Sequence, residues 1–181
     1  MSSGILPRRS FLLFAGSTVS ALWLSVHGQA IADAAHHADA VADGGVSGAL
    51  SFFNDHDAAD VTAIAACIIP GGATPGAREA HVIVFIDRAL QTFFSDRAAQ
   101  FREGLTQLQA AFAAAHPGIA FASASDADQV AFLRTVENTP FFGGMTFMTV
   151  MGFLSSPKYG GNAQKLGWKA IGFEDQHIFT P

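Results

Sequence analysis

The residues of this chain that could act chemically are few and scattered. Glu79 and His81 flank Ala80, Asp87 precedes Arg88, His36 and His37 form a pair, and Ser155 and Ser156 stand before Pro157. None has the spacing its chemistry needs. Two metal ligands on one helix face lie three or four residues apart, so Glu79 and His81 cannot share an ion across a turn. Ser155 and Ser156 have no Gly-x-Ser-x-Gly turn to present a nucleophile. Gly160-Gly161 lacks the Lys-Ser/Thr ending and the following helix of a phosphate loop. No Gly-x-Gly-x-x-Gly follows a strand, so the chain has no dinucleotide fold of its own. Cys67 is the only cysteine. That excludes an intrachain disulfide, a Cys-x-x-Cys-His haem attachment and an iron–sulfur ligand set. On the flank of an apolar helix face, Cys67 reads as an inert thiol. Asp87-Arg88 and the charges from Arg97 to Glu103 read as solvated or structural groups. The expectation is a chain with no catalytic, cofactor-binding or metal-binding residue. Two rivals stay open: a free-standing enzyme using His81 or the loop around Gly160, and a helical binding module without a redox role.

One motif does carry an address. Pro7-Arg8-Arg9-Ser10-Phe11-Leu12-Leu13 precedes an apolar stretch from Phe11 to Val26, then Ala30-Ile31-Ala32, with Gly28-Gln29-Ala30 as an alternative cleavage site. A basic segment, an apolar segment and an Ala-x-Ala site make an export signal. The apolar run, rich in Gly, Ser and Thr, falls short of the roughly twenty residues of a membrane span. Arg8 and Arg9 with Phe11 and Leu12 fit the twin-arginine signal, which is read by the translocase for folded cargo. Residues 1–32 are therefore expected to be a cleaved leader and the mature chain periplasmic. Removing Arg8 and Arg9 leaves eight basic and fifteen acidic residues, 8 − 15 = −7. Phosphate backbones and anionic lipid repel such a chain, which excludes nucleic acid and membrane-surface binding.

Residues 33–50, poor in apolar side chains, read as a linker, and 51–181 as one domain. Asn54 or Asp55 can cap a first helix carrying Val61, Ile64, Ala65 and Ile68, ended by Pro70-Gly71-Gly72. From Pro75-Gly76 onwards, Val82, Phe85, Ile86, Ala89, Leu90 and Phe93 form an apolar stripe at helical spacing. Ile83 and Val84 lie on the back of that stripe, and a helix apolar on both sides is central or covered by a partner. Asp96 opens a third helix with Ala98, Phe101, Leu105, Leu108 and Phe112. Gly104 in its middle predicts a close crossing by another backbone. Ser125 caps a fourth helix with Val130, Leu133 and Val136 facing inward, and Pro140 opens a fifth over 141–153. No segment alternates as a strand does. The fold class is all-α, about five helices.

After Ser156-Pro157 the sequence turns glycine-dense and predicts an ordered, irregular tail. It holds the only tyrosine, Tyr159, and the only tryptophan of the mature chain, Trp168. Aromatic side chains with a polar end suit interfaces. Ile83, Val84, Tyr159, Gly160, Gly161, Asn162 and Trp168 are thus the candidate partner surface, with a lid over the domain's own core as the other reading.

Several segments, in order, resemble one family. They are Phe52-Phe53, Cys67-Ile68-Ile69-Pro70, Thr74-Pro75-Gly76-Ala77-Arg78-Glu79-Ala80, Phe85-Ile86-Asp87-Arg88, Phe101-Arg102-x-Gly104-Leu105, Phe141-Phe142, Gly152-Phe153, Pro157-x-Tyr159-Gly160-Gly161-Asn162 and Gly167-Trp168. Together they look like the gluconate 2-dehydrogenase subunit 3 family, over residues 52 to about 173. The family often has Tyr where Phe101 stands. The resemblance implies a small, non-catalytic subunit bound to an FAD-containing flavoprotein of the glucose–methanol–choline oxidoreductase type, which oxidises a sugar, glycoside or sugar acid. It also implies that a multihaem cytochrome c can take the electrons and tie the complex to the membrane. The small subunit's signal would carry the signal-less flavoprotein across. That accounts for a folded-protein export signal on a chain with no visible cofactor site.

Overall fold

The computed structural model describes residues 50–175. The expected leader, with Arg8, Arg9, Phe11 and Leu12, and the linker up to residue 49 lie outside the described residues. Six α-helices and no strand are present among the described residues: α1 Asp55–Ile68, α2 Val82–Gln91, α3 Ala98–Ala115, α4 Asp126–Val136, α5 Pro140–Leu154 and α6 Leu166–Ile171. The all-α fold is as expected, with one short helix more. None of the six is long and apolar enough to cross a membrane.

The helix starts follow from local chemistry. The Asn54 side chain accepts the Asp57 N–H at 2.8 Å, Ser125 accepts that of Asp128, and Thr139 accepts that of Phe142 with Pro140 in the first turn. Each side-chain oxygen satisfies an amide that the first helical turn leaves unpaired. The second helix starts later than the Pro75-Gly76 signal. Ala77 to His81 form turns, with Val82 N–H bonded to Ala77 O, and His81 adopts a left-handed conformation at φ 52°. The chain cannot continue a right-handed helix through that residue, so α2 begins at Val82.

Helices α1, α2 and α5 pack on one another, with α3 and α6 against α5 and α4 against α1. The core runs through this trio: Val61, Ile64, Phe85, Ile86, Leu90 and Met145 are all essentially inaccessible. Each such side chain contributes about 1.5–3 kcal/mol relative to exposure. In a second aromatic cluster, where α3 and α4 converge, Phe112 meets Phe121 and Phe132 edge to face at 5.2 and 5.0 Å, and Phe121 and Phe132 lie tilted at 6.3 Å. Gly104 does mark a close crossing, but a ring fills it rather than a backbone. A Cβ there would lie 2.5 Å from Phe141 Cδ2.

On α4 the inward stripe differs from the expected one. Val130 is exposed, while Gln129, Phe132 and Leu133 are buried and Val136 is half-buried. Gln129 disguised the stripe. Its amide donates to Phe121 O at 2.9 Å and Ala124 O at 3.2 Å, so a polar residue faces the core at no unpaired cost.

Candidate partner-docking surface

The tail is more regular than its glycines imply. Pro157–Tyr159 and Ala163–Lys165 are 3-10 turns and Leu166–Ile171 is helical. Asn162, Gln164 and Lys165 take left-handed backbone conformations, so the glycine-rich stretch turns sharply and then resumes as helix. The buried Asn162 side chain holds that turn, donating to Ser155 O and accepting the Gly167 N–H, both at 2.8 Å. Gly161 and Gly167 lie so tightly on the Gly152 and Phe153 carbonyls of α5 that neither position has room for a Cβ.

The candidate surface residues are brought together, largely onto one another. Gly160, at φ 101°, seats directly on Val84, where a Cβ would lie 2.9 Å from Val84 Cγ1. The apolar back of α2 is therefore covered by the chain's own tail. Ile83 and Tyr159 are half-buried against the core, and Gly160, Gly161 and Asn162 are buried. Trp168 is half-buried, with its indole N–H donating to Leu154 O at 2.7 Å. These contacts are those of a lid over α2 and α5.

The buried acids hold loops. The Asp87 carboxylate, 3% exposed, accepts the N–H groups of Ser51, Phe52 and Phe53 at 2.9–3.2 Å and the Gln91 amide at 2.7 Å. It is a structural group, neither solvated nor paired with Arg88 in an ion bridge. It pins the segment entering the domain onto α2, and Arg102 stacks on the Phe52 ring at 4.3 Å. Asp60 accepts Ala122 N–H at 2.9 Å and the Gln109 amide at 3.0 Å, tying α1 to α3 and to the Phe121–Ser123 turn. The exposed His56 lies 3.8 Å from Asp60 and 3.7 Å from Asp57, a cluster that sequence spacing alone did not single out. The i, i+4 relation of His56 and Asp60 was the available signal.

Glu79 accepts the Gly76 N–H at 2.8 Å, which holds its carboxyl below the ordinary carboxylate range, and so closes the loop ahead of α2. His81 is exposed and makes no side-chain cap bond. Burial pushes the Cys67 thiol above its ordinary value, Asp126 adds to that and Arg78 opposes it. Its sulfur lies 3.5 Å from Gln129 Oε1. The reactive thiolate is disfavoured.

The surface that these contacts leave open lies on α5. That helix carries no charged residue over its fifteen positions. Its outward side presents Gly143, Phe147 and Val150, with Phe147 41% and Val150 40% exposed. The stripe continues through Leu154 to Trp168, which meets the exposed Phe173 edge to face at 5.1 Å. At its other end, a cleft of about 380 Å³ opens between α3 and α5, walled by Phe94, Phe101, Phe141, Phe147 and Met148. Arg97, Gln100, Glu103 and Gln107 stand around it on α3 and the turn before it. A continuous apolar surface rimmed by polar groups is the form of a protein-interaction site.

The described residues thus form a helical unit in which Asp60, Asp87, Gln129 and Asn162 hold its own loops and an apolar face lies open along α5. Residues 55–175 match the gluconate 2-dehydrogenase subunit 3 family, and the chain belongs to that family. The family is that of a small subunit of a dehydrogenase complex. No curated protein and no solved structure matches the chain.

Proposed function

We propose that this chain is the non-catalytic small subunit of a periplasmic FAD-dependent dehydrogenase of the glucose–methanol–choline type. It stabilises the flavin-carrying subunit and escorts it through twin-arginine export. The observation that carries this reading is the family match over residues 55–175. The geometry supports it: Asp60, Asp87, Gln129 and Asn162 are all engaged in holding backbone. The oxidation of a sugar, glycoside or sugar-acid CH–OH group then belongs to the flavoprotein, and a cytochrome c subunit carries electrons onward. The leader with Arg8 and Arg9 supplies the address for both chains.

Co-expression tests the reading. The tagged chain should bring down a yellow complex with flavin absorbance and dehydrogenase activity, while the chain alone is colourless and inactive. Activity of the isolated chain towards a sugar would contradict it.

A further inference from the structure

Gly143 and Gly144 are consecutive glycines inside α5, and a Cβ at either would meet no atom within 4 Å. A glycine in a helix interior destabilises the helix relative to alanine, through the backbone entropy it loses on folding. At Gly104 and Gly152 the neighbouring Phe141 and Phe85 rings occupy the space, but among the described residues none uses the space at Gly143 and Gly144. Gly144 lines the cleft between α3 and α5. Its missing side chain keeps the floor of an aromatic-walled hollow open.

We infer that this cleft is the anchor pocket for the flavin-carrying subunit. One apolar side chain of that subunit seats over Gly144, and a neighbouring carboxylate of the same segment meets Arg97. This rests on the subunit reading above. The Arg97 guanidinium lies 5.8 Å over the Phe94 ring at the cleft and has no acidic partner within 4 Å among the described residues. Arg97, in the turn before α3, and Glu103, on α3, both stand at the α3 side of the hollow, while α5 across from them is uncharged; the segment that fits is apolar and places its acid at Arg97, away from Glu103. The hollow shape decides between a different chain and a second copy. Two copies meeting here would set concave against concave, and Phe147 is held as a wall against Phe94 at 5.9 Å rather than free as a plug. A protruding segment of another chain fills the space, as interface anchors do.

The test uses the full chain co-expressed with the FAD-carrying subunit of its complex, comparing wild type with Gly144→Leu, Gly144→Ala and Arg97→Glu. The complex dissociation constant and the melting temperature of each uncomplexed chain are measured. Gly144→Leu should weaken the complex at least tenfold, with the uncomplexed chain as stable as wild type or more so. Arg97→Glu should weaken it several-fold, with a loss that shrinks as salt is raised. Ile119→Ser, exposed and outside the cleft lining, should change nothing. A wild-type complex that forms, with Gly144→Leu and Arg97→Glu both binding at wild-type strength, overturns the pocket while leaving the subunit reading intact. A wild type that forms no flavoprotein complex overturns both. Self-association abolished by Gly144→Leu assigns the cleft to a second copy and overturns the inference. If Leu disturbs folding, Gly144→Ala, expected to weaken the complex measurably without lowering the melting temperature, decides together with Arg97→Glu, and wild-type binding by both overturns the pocket.

Discussion

The Asn162 side-chain oxygen accepts the Gly167 N–H at 2.8 Å across a turn in which Asn162 itself is left-handed. That bond, beside the one from Lys165 N–H to Asn162 O, joins the Tyr159–Asn162 segment to the helix bearing Trp168. Asn162→Ala removes it and the bond to Ser155 O, and places a residue that tolerates φ 49° poorly at the turn. The expected loss is about 2–4 kcal/mol. In a domain of this size that lowers the melting temperature by roughly 6–15 °C.

Trp168→Ala separates a lid from an interface. Its indole N–H bonds to Leu154 O and its ring packs on Phe173, so the isolated chain should lose about 2–3 kcal/mol of stability. Calorimetry of the isolated chain reads this directly. A melting temperature within 2 °C of wild type, by order-of-magnitude scaling, would contradict the lid role.

Glycine replacements on facing helices should have opposite signs. Gly104→Ala drives a Cβ into the Phe141 ring and should cost about 1–3 kcal/mol despite the gain in helix propensity. Gly143→Ala meets nothing and should stabilise by about 0.5–1 kcal/mol. Urea titrations of the two variants check the pair, and equal shifts would show the crossing of α3 and α5 to be wrongly placed.

Asp87→Asn keeps the size of the side chain but turns an acceptor of four hydrogen bonds into one that presents an NH₂ group to amide donors. The strap Ser51–Phe53 should come away from α2 at a cost of about 2–3 kcal/mol. Amide exchange at residues 51–53 should accelerate selectively.

Cys67 should react slowly with iodoacetamide at pH 8 in the folded chain and rapidly once unfolded in urea. Burial raises its folded-state value above the unfolded one. The neutral thiol's contribution to stability is therefore fully present below the ordinary thiol value and is lost as pH rises through the folded value. Alkylation rates across pH 7–10, for folded and unfolded chain, test the direction. Equal rates would contradict it.

The all-α class and the places of five helices were legible because long apolar stripes, caps such as Asn54 and Ser125, and Pro140 at a helix start fix helices locally. What escaped depended on distant partners. The role of Gln129 needs the Phe121 and Ala124 carbonyls, and that of Asp87 needs a strap more than thirty residues away. The sixth helix hid behind glycines whose purpose is close contact with Gly152 and Phe153 rather than irregularity. The apolar back at Val84 and the Gly160 tail were each visible, but that they cover one another is a tertiary fact. The open face of α5 was hidden for a simpler reason: a helix apolar all round gives no periodic sign of which side is bare.

The escort role is tested most directly by replacing Arg8 and Arg9 with lysine in the full chain, co-expressed with its flavoprotein, and measuring FAD-dependent dehydrogenase activity in periplasmic and cytoplasmic fractions. The motif read by the folded-protein translocase is lost while the positive charge is kept. The account predicts that both chains and the activity stay in the cytoplasm. Normal periplasmic activity in the Arg8→Lys/Arg9→Lys variant would contradict it.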